Sequence, residues 1–276
     1  MENKYCLNCN AALIKSQNFC SQCGQSASTH RFTIVSFFHE GFHAITHADK
    51  GLFYLLKELT IRPGIVARAY IDGKRKKYFN PFTFFLLLMA LYVFVNTFVG
   101  AKELTNSRPM PESISAITDV EVRKSAENQY NRGVEARRFM TKNGNLVAML
   151  AIPFFALFFR TIYYRGRYNY VEHLVANLMF VTLANLAFTL IVFPLQALLI
   201  GSPWASMTNI LGFVLQAFYF TIAYKGFMEL KGGWPTVKIA IFSFIGIMLW
   251  AILSISLIAI YVMRSIHFYD YFKHLG

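Results

Sequence analysis

Long blocks of apolar residues broken by short polar clusters set the pattern of this chain. Five blocks, Phe82 to Ala101, Leu146 to about Tyr164, Leu174 to Ile200, Pro203 to Tyr224 and Ile239 to Met263, each approach the roughly 20 residues that a helix needs to cross a hydrocarbon core. They predict five transmembrane helices. The second is the weakest, because Arg160 lies near its end; there the guanidinium can reach outward to the interface at far less cost than at the centre. Between the third and fourth blocks stand Gly201, Ser202 and Pro203, a helix stop, an N-cap and a proline at the first helical position, which predicts an antiparallel hairpin.

Ahead of the first span the period changes. On a helical wheel, Ile34, Val35, Phe37, Phe38, Phe42 and Ile45 share one side, whereas Ser36, His39, Glu40, His43 and His47 gather on the other. After Asp49-Lys50-Gly51 a second amphipathic segment aligns Leu52, Leu55, Leu56 and Leu59, and Arg62-Pro63-Gly64 ends it because proline cannot continue a helix. A third short segment stops at Asp72-Gly73, and the basic run Lys74-Arg75-Lys76-Lys77 leads to Asn80, a cap for the first span. Helices of this kind lie in a membrane interface with the apolar side down, next to bases that attract anionic headgroups at roughly 1 kcal/mol each.

Composition agrees with the spans: 55% of residues are hydrophobic, 15% are charged and the mean hydropathy is +0.40, which excludes an ordinary soluble fold. The net charge of +13 follows topology. With the N-terminus inside, segments 1–81, 160–173 and 225–238 carry more Lys and Arg than 102–145, 201–202 and 264–276, so the positive-inside rule places the N-terminus in the cytosol and the C-terminus outside. Segment 102–145 reads as a small external excursion with a helix-capable stretch after Thr118. The first residues are polar and carry no signal-peptide pattern.

All four cysteines lie at the start, as Cys6-x2-Cys9 and Cys20-x2-Cys23 with Gly24 directly after. Each pair points two thiolates at one spot, and two pairs complete the tetrahedral sulfur shell that zinc prefers. The competing readings are two disulfides, a rubredoxin-like iron site and a thioredoxin-type redox pair. A reducing compartment argues against the first, and the missing βαβ context against the last. One structural zinc per chain is the expected cofactor. Four protein ligands leave no open position, so the ribbon docks or stabilises and does not catalyse. Its few basic residues, Lys4 and Lys15, make a poor phosphate footprint, against nucleic-acid binding.

Other chemistry is sparser. His39, His43 and His47 recur every fourth residue; neighbouring pairs can converge on one ion, although the outer two lie about 12 Å apart on a straight helix. A solvated polar face is the plainer reading. Glu172-His173, at the start of the third span, stands at the same depth and is the candidate partner for a catalytic set of His39, His43, Glu172 and His173. The plainer alternative pairs Glu172 with Arg165 or Arg167 and has His173 cap or pack. Arg62, Lys74, Arg75, Lys76 and Lys77 are the candidates for phosphate or lipid headgroups. Asn177, Asn185, Gln196, Asn209 and Gln216 suit hydrogen bonds between spans. Pro153 and Pro194 can kink theirs.

These residues together resemble a family of bacterial membrane proteins, domain of unknown function 3667. The resemblance rests on Cys20-Ser21-Gln22-Cys23-Gly24-Gln25, on Phe38-His39, His43-Ala44 and Thr46-His47-Ala48-Asp49-Lys50-Gly51, and on Arg62-Pro63-Gly64, Tyr70, Gly73-Lys74-Arg75, Tyr78 and Pro81. Pro153 and the run Tyr170-Val171-Glu172-His173-Leu174-Val175 extend it through nearly the whole chain. The resemblance implies a cytosolic ribbon on a multispan domain and carries no established activity. Where family members have further histidines after their Glu-His, this chain has Met179 and Val181, a departure that counts against a general histidine–metal enzyme.

The expectation is an all-α polytopic membrane protein of the bacterial inner membrane: a zinc ribbon over 1–27, interfacial amphipathic helices with a basic run over 28–81, and a five-helix membrane domain over 82–276. Its leading function is non-enzymatic docking, sensing or scaffolding, with lipid headgroups and a cytosolic protein as partners. An enzyme acting on lipid headgroups through the His/Glu set is the first alternative. A transporter of a small solute or lipid, built on the polar residues of the third and fourth spans, is the second.

Overall fold

The computed structural model describes residues 5–14, 17–29, 31–37, 51–105, 110–199, 202, 204 and 207–263. His39, His43 and His47 lie outside the described residues, as do Gly201, Pro203 and the C-terminal segment from 264. Helices follow in the order α1 (Leu52–Ile61), α2 (Pro63–Ile71), α3 (Pro81–Thr105), α4 (Glu112–Ser115), α5 (Val120–Ile162), α6 (Tyr170–Ala187), α7 (Phe193–Leu198), α8 (Met207–Phe227) and α9 (Gly233–Met263). A π turn, Phe188–Val192, joins α6 to α7. Among the described residues there is no extended strand, only two isolated antiparallel bridges in the N-terminal segment.

Local chemistry explains the boundaries. Pro63 stops α1 and opens α2, since its missing N–H is no loss at a helix start. Gly73, at φ +111°, reverses the chain after α2. Asn80 Oδ1 accepts from the Phe82 amide at 2.8 Å and caps α3 as expected. Asp119 caps α5 in the same way through Glu121 and Val122. The π turn directly precedes Pro194, whose ring disturbs the normal ladder; the Phe193 N–H reaches back five residues to the Phe188 carbonyl. Pro153 lies inside α5, which continues through it.

Four helical stretches are long and apolar enough to cross a membrane: Lys142–Ile162, Tyr170–Gln196, Met207–Phe227 and Gly233–Tyr261. They correspond to the last four blocks read from the sequence. For the first block, the apolar part of α3 over Pro81–Val95 is shorter than these, so a fifth crossing rests on the sequence pattern. Trp204, with its amide bonded to Ser202 Oγ, precedes α8, which starts at Met207. The helix-capable stretch after Thr118 is helical and continuous with the next span: α5 is 43 residues long, roughly 64 Å at 1.5 Å per residue, or about twice the hydrocarbon core.

α6 occupies the centre, with α1, α2, α3, α5 and α8 packed around it, and α9 closes the bundle against α5 and α8. An aromatic core fills the middle: Phe155, Phe159, Phe180, Phe220, Tyr224 and Phe227 are all fully buried. Outward-facing stripes, such as Ile210, Val214, Phe218 and Ile222 on α8 and Ile241, Ile245, Leu249 and Ile252 on α9, are exposed and apolar, as a lipid-facing surface requires.

The apolar side of α1 is used differently from the expectation. Leu55 and Leu59 are fully buried and Leu52 and Leu56 pack beside them, against α2 and α6 rather than against lipid. α2 then runs over the end of α8. Gly64 meets Gly226 backbone to backbone: a Cβ on Gly226 would lie 3.3 Å from the Gly64 Cα, the kind of approach that only small residues permit between helices. Arg68 forms an ion pair with Glu229 just past α8. The segments before α3, the turn between α5 and α6 and the turn between α8 and α9 therefore meet at one end of the bundle.

Candidate metal centre and its seat on the helix ends

Cys6, Cys9, Cys20 and Cys23 come together with all four sulfur atoms within 4.8 Å of one another, and all are free thiols. Cys6 and Cys23 are 3.5 Å apart and Cys9 and Cys20 3.7 Å. A tetrahedron with metal–sulfur bonds of 2.3 Å has edges of about 3.8 Å, so the donor set fits a four-coordinate soft or borderline ion. The ionisation of the thiols makes the same point. The Gln25 amide, assisted by Asn8 and by the Cys9 and Cys6 thiols, holds Cys23 down to about 6. Cys9 is pushed up to about 12: its bond to the Ala11 backbone lowers it, but desolvation and the three other thiols outweigh that. Four thiolates share this space only if a cation neutralises them.

The two pairs are copies of one turn. The Cys6 amide bonds the Ala11 carbonyl and the Cys20 amide the Gln25 carbonyl, both at 2.8 Å; the Asn10 amide returns to Cys6 and the Gly24 amide to Cys20. Asn10 and Gly24 occupy matching left-handed positions, φ 62° and 69°. Bridges Tyr5–Ala12 and Phe19–Ser26 flank the two turns. Sequence reading found a role for Gly24 but missed Asn10. Asparagine tolerates this region too, and its place after the second cysteine was the available signal.

The ribbon rests on the end of the bundle through the turn between α2 and α3. A Cβ on Gly73 would lie 2.7 Å from Leu7 Cδ1 and 3.0 Å from Thr29 Oγ1, so the first cysteine turn sits directly on that glycine. Gln25 is buried and its Oε1 accepts the Lys76 amide at 2.9 Å. Phe32, also buried, stacks on Tyr70 with ring centroids 6.1 Å apart and carries the Arg75 guanidinium 4.0 Å above its face. Beside it, Arg31 grips Glu172 in a fork: Nε donates to Oε1 at 2.9 Å and a terminal nitrogen to Oε2 at 2.6 Å. The same nitrogen donates to the Arg167 carbonyl at 2.8 Å.

Glu172 is 2% exposed and has a second task. It forms a capping box with Asn169: the Asn169 amide donates to Glu172 Oε2 at 2.7 Å and the Glu172 amide to Asn169 Oδ1 at 2.9 Å. The partner expected for Glu172, Arg165 or Arg167, is corrected to Arg31. Arg167 instead donates to Asp72 at 2.6 Å, and Arg165 lies over the Tyr164 ring. Nothing local in the sequence connects positions 31 and 172.

His173 turns away from Glu172 into the aromatic core. It is fully buried, with Nδ1 3.5 Å from the Tyr224 hydroxyl and its ring packed edge-on against Phe227. Asn177 donates to the same hydroxyl at 2.5 Å and to the His173 carbonyl at 2.8 Å. This is the bond between spans expected of Asn177. Tyr224→Phe removes the group shared by His173 and Asn177, and should lower the unfolding free energy of the detergent-solubilised protein by about 1 kcal/mol; Tyr219→Phe, at a hydroxyl with no hydrogen-bond partner among the described residues, is the control expected to show no comparable loss.

The basic candidates border the same seat, Arg62, Arg75 and Lys77 through their side chains and Lys74 and Lys76 through their main chain. Arg62 pairs with the buried Glu58 at 2.6 Å. The Lys74 amide closes the turn onto the Ala69 carbonyl. Lys77 lies over the Tyr54 and Tyr78 rings, 6.0 and 5.5 Å from their centroids, and Arg75 lies over Phe32; Lys74 and Lys76 take part through their main-chain amides, and their side chains are exposed.

Fold and site together define a helical membrane protein carrying a four-cysteine cluster at one end of its bundle. Residues 49–93 match the family described as "Protein of unknown function (DUF3667)", the family resembled by the sequence. The match covers α1, α2, the basic turn and the start of α3, which form the seat; the cysteine turns and Glu172-His173 lie outside it. No curated protein and no solved structure matches the chain.

Proposed function

We propose that this is a multi-pass protein of the bacterial inner membrane, with its N-terminus cytosolic and its C-terminus external, whose ribbon holds one structural zinc ion and serves as a docking or sensing module. The observation that carries this reading is the four-sulfur cluster itself, closed by protein ligands and fastened by Gln25, Arg31 and Phe32 to the ends of apolar helices. A divalent ion there neutralises the thiolates and ties the two cysteine turns together. Zinc is preferred on the donor set and the short x2 spacing. The stripes on α8 and α9 support lipid contact. The cytosolic side follows from the clustering of Lys and Arg in the segments that meet at the ribbon's end.

Exposed Phe53, Lys57 and Ile61 on the outer side of α1, near the basic turn, suit an anionic headgroup layer, and the outer face of the ribbon suits a cytosolic protein. The five-span arrangement is part of the same proposal. With α3 as a full crossing, the chain starts inside and ends outside.

The test is metal analysis of purified full-length protein together with a topology reporter fused at either end. The expected result is one zinc per chain and a C-terminal reporter active only outside the cytoplasm. Iron in place of zinc, or a C-terminal reporter active in the cytoplasm, overturns the corresponding part. Docking is tested by removing residues 1–27, which should abolish co-purification of a cytosolic partner while the membrane domain still accumulates; unchanged partners sink that role.

A further inference from the structure

We infer that Gln25 and residues 31–37 act as a latch that couples occupancy of the four-cysteine site to the N-terminal turn of α6. The inference rests on the metal-centre reading above and goes beyond it, because it gives the ion a consequence inside the membrane domain.

The described part of the ribbon has almost no core of its own. Among the described residues of 5–29, only Cys6, Cys20 and Gln25 are buried. A segment with so little apolar burial keeps its shape through the ion, so that metal binding and folding are one event. Gln25 is bonded to both sides of the junction: its carbonyl receives the Cys20 amide at 2.8 Å, and its side chain receives the Lys76 amide from the turn before α3. Leu7, on the first cysteine turn, closes over Gly73 of that same turn. Arg31 and Phe32 follow a few residues later in the chain.

These two residues reach the start of α6. Arg31 gives the buried Glu172 two charge-assisted bonds, and Phe32 offers its carbonyl to the Asn169 side chain at 3.3 Å. Asn169 and Glu172 are the two halves of the capping box. If the latch lets go, Glu172 keeps only the Asn169 amide among these partners and becomes an under-compensated carboxylate, costly to retain in a buried place. It then turns toward water, and the box that holds the first turn of α6 opens. Thr33 and Ser36 brace the other end of the latch: the Thr33 amide donates to Ser36 Oγ at 2.9 Å and the Ser36 amide to Thr33 Oγ1 at 3.2 Å. Phe37 packs edge-on against Phe82 at the start of α3. The latch thus touches α3 and α6 together.

Coupling of this kind is reciprocal: if the ion stabilises the latch, the latch must tighten the ion. The experiment uses full-length protein in lipid nanodiscs with Zn²⁺ as the probe. Hydrogen exchange is followed with the zinc bound and after its removal by a chelator, and zinc affinity is measured by competition with a chromogenic chelator. Removal of zinc should speed exchange at 31–37 and at the Glu172 and His173 amides at least about tenfold while α8 and α9 stay unchanged. Arg31→Ala and Glu172→Gln should each weaken zinc binding by about 5- to 100-fold, whereas Arg165→Ala should leave it unaltered. Arg31 has an exposed side chain, so its truncation tests the latch even if Glu172→Gln fails to fold. Zinc bound with unchanged affinity in Arg31→Ala, and exchange at Glu172 and His173 indifferent to zinc, overturns the latch and leaves the metal-centre reading standing. A full-length protein that binds no zinc overturns both.

Discussion

Cys20→Ala should leave the purified protein without bound metal and turn residues 5–29 into an unprotected tail. Cys20 is buried at the centre of the second cysteine turn, its sulfur 3.7 Å from Cys9 and its amide holding Gln25. A three-thiolate set binds a divalent ion much more weakly than a closed four-sulfur shell, and the two turns have no hydrophobic core to fall back on. Structural zinc in small modules contributes on the order of 10–16 kcal/mol of folding free energy at neutral pH, so the expected effect is loss of the module's fold rather than a graded weakening. Metal content by elemental analysis and proteolysis of the segment check it. Retention of one ion per chain and full protease resistance in Cys20→Ala would falsify the four-sulfur reading. The aromatic core between α5, α6 and α8 should stay intact, with loosening confined to residues 31–37 and the first turn of α6.

Gly64→Ala should disrupt the packing of α2 on α8. A methyl group at this position would overlap the carbonyl oxygen of Ala223 and the amide nitrogen of Phe227, and would lie 2.5 Å from the Gly226 carbonyl carbon. All three are backbone atoms of the facing helix, so no side-chain rotation relieves the clash. The helices must separate, and Val66, Ala67 and Tyr70, all buried beyond the contact, lose their close fit. Overpacking of a tight interior site costs about 1–3 kcal/mol, and the absence of any yielding atom puts this one at about 3 kcal/mol or more. Gly226→Ala is the graded control: its nearest contact, at 3.3 Å, should cost about 1 kcal/mol. Thermal unfolding in detergent distinguishes the two, and equal melting temperatures for Gly64→Ala and the parent chain would show that α2 does not sit on α8 this way.

Local features were legible in the sequence and contacts between distant segments were not. The paired cysteines, the Asn80 cap, the stop at Pro63 and the apolar spans all announce themselves within a few residues, because capping, proline geometry and hydropathy act over one or two turns. The bond from Asn177 to a neighbouring span was likewise expected, since a buried amide needs a partner. The identity of that partner, Tyr224, was not. Arg31 looked like one base among many until the fold brought it to Glu172, and the nearer Arg165 and Arg167 were the natural guesses. Gly64 appeared as part of a helix-ending Arg-Pro-Gly; its closeness to Gly226 depends on the crossing of two helices far apart in the chain. The amphipathic side of α1 was read correctly as a stripe, with lipid assigned to cover it, whereas α6 covers it here. A periodic pattern says which side must be covered and is silent about the cover.

The length of α5 has a mechanical consequence. Its C-terminal end leads through a short turn to Asn169, the residue that caps α6 beside the latch, while its N-terminal end at Val120 stands on the opposite side of the bundle. A helical rod of about 64 Å pivoted near Ile162 turns a tilt of only ~5° into a sweep of roughly 5–6 Å at Val120. The ribbon's end of the bundle thus lies at the pivot of a long rod, where a small tilt is magnified most at the far tip.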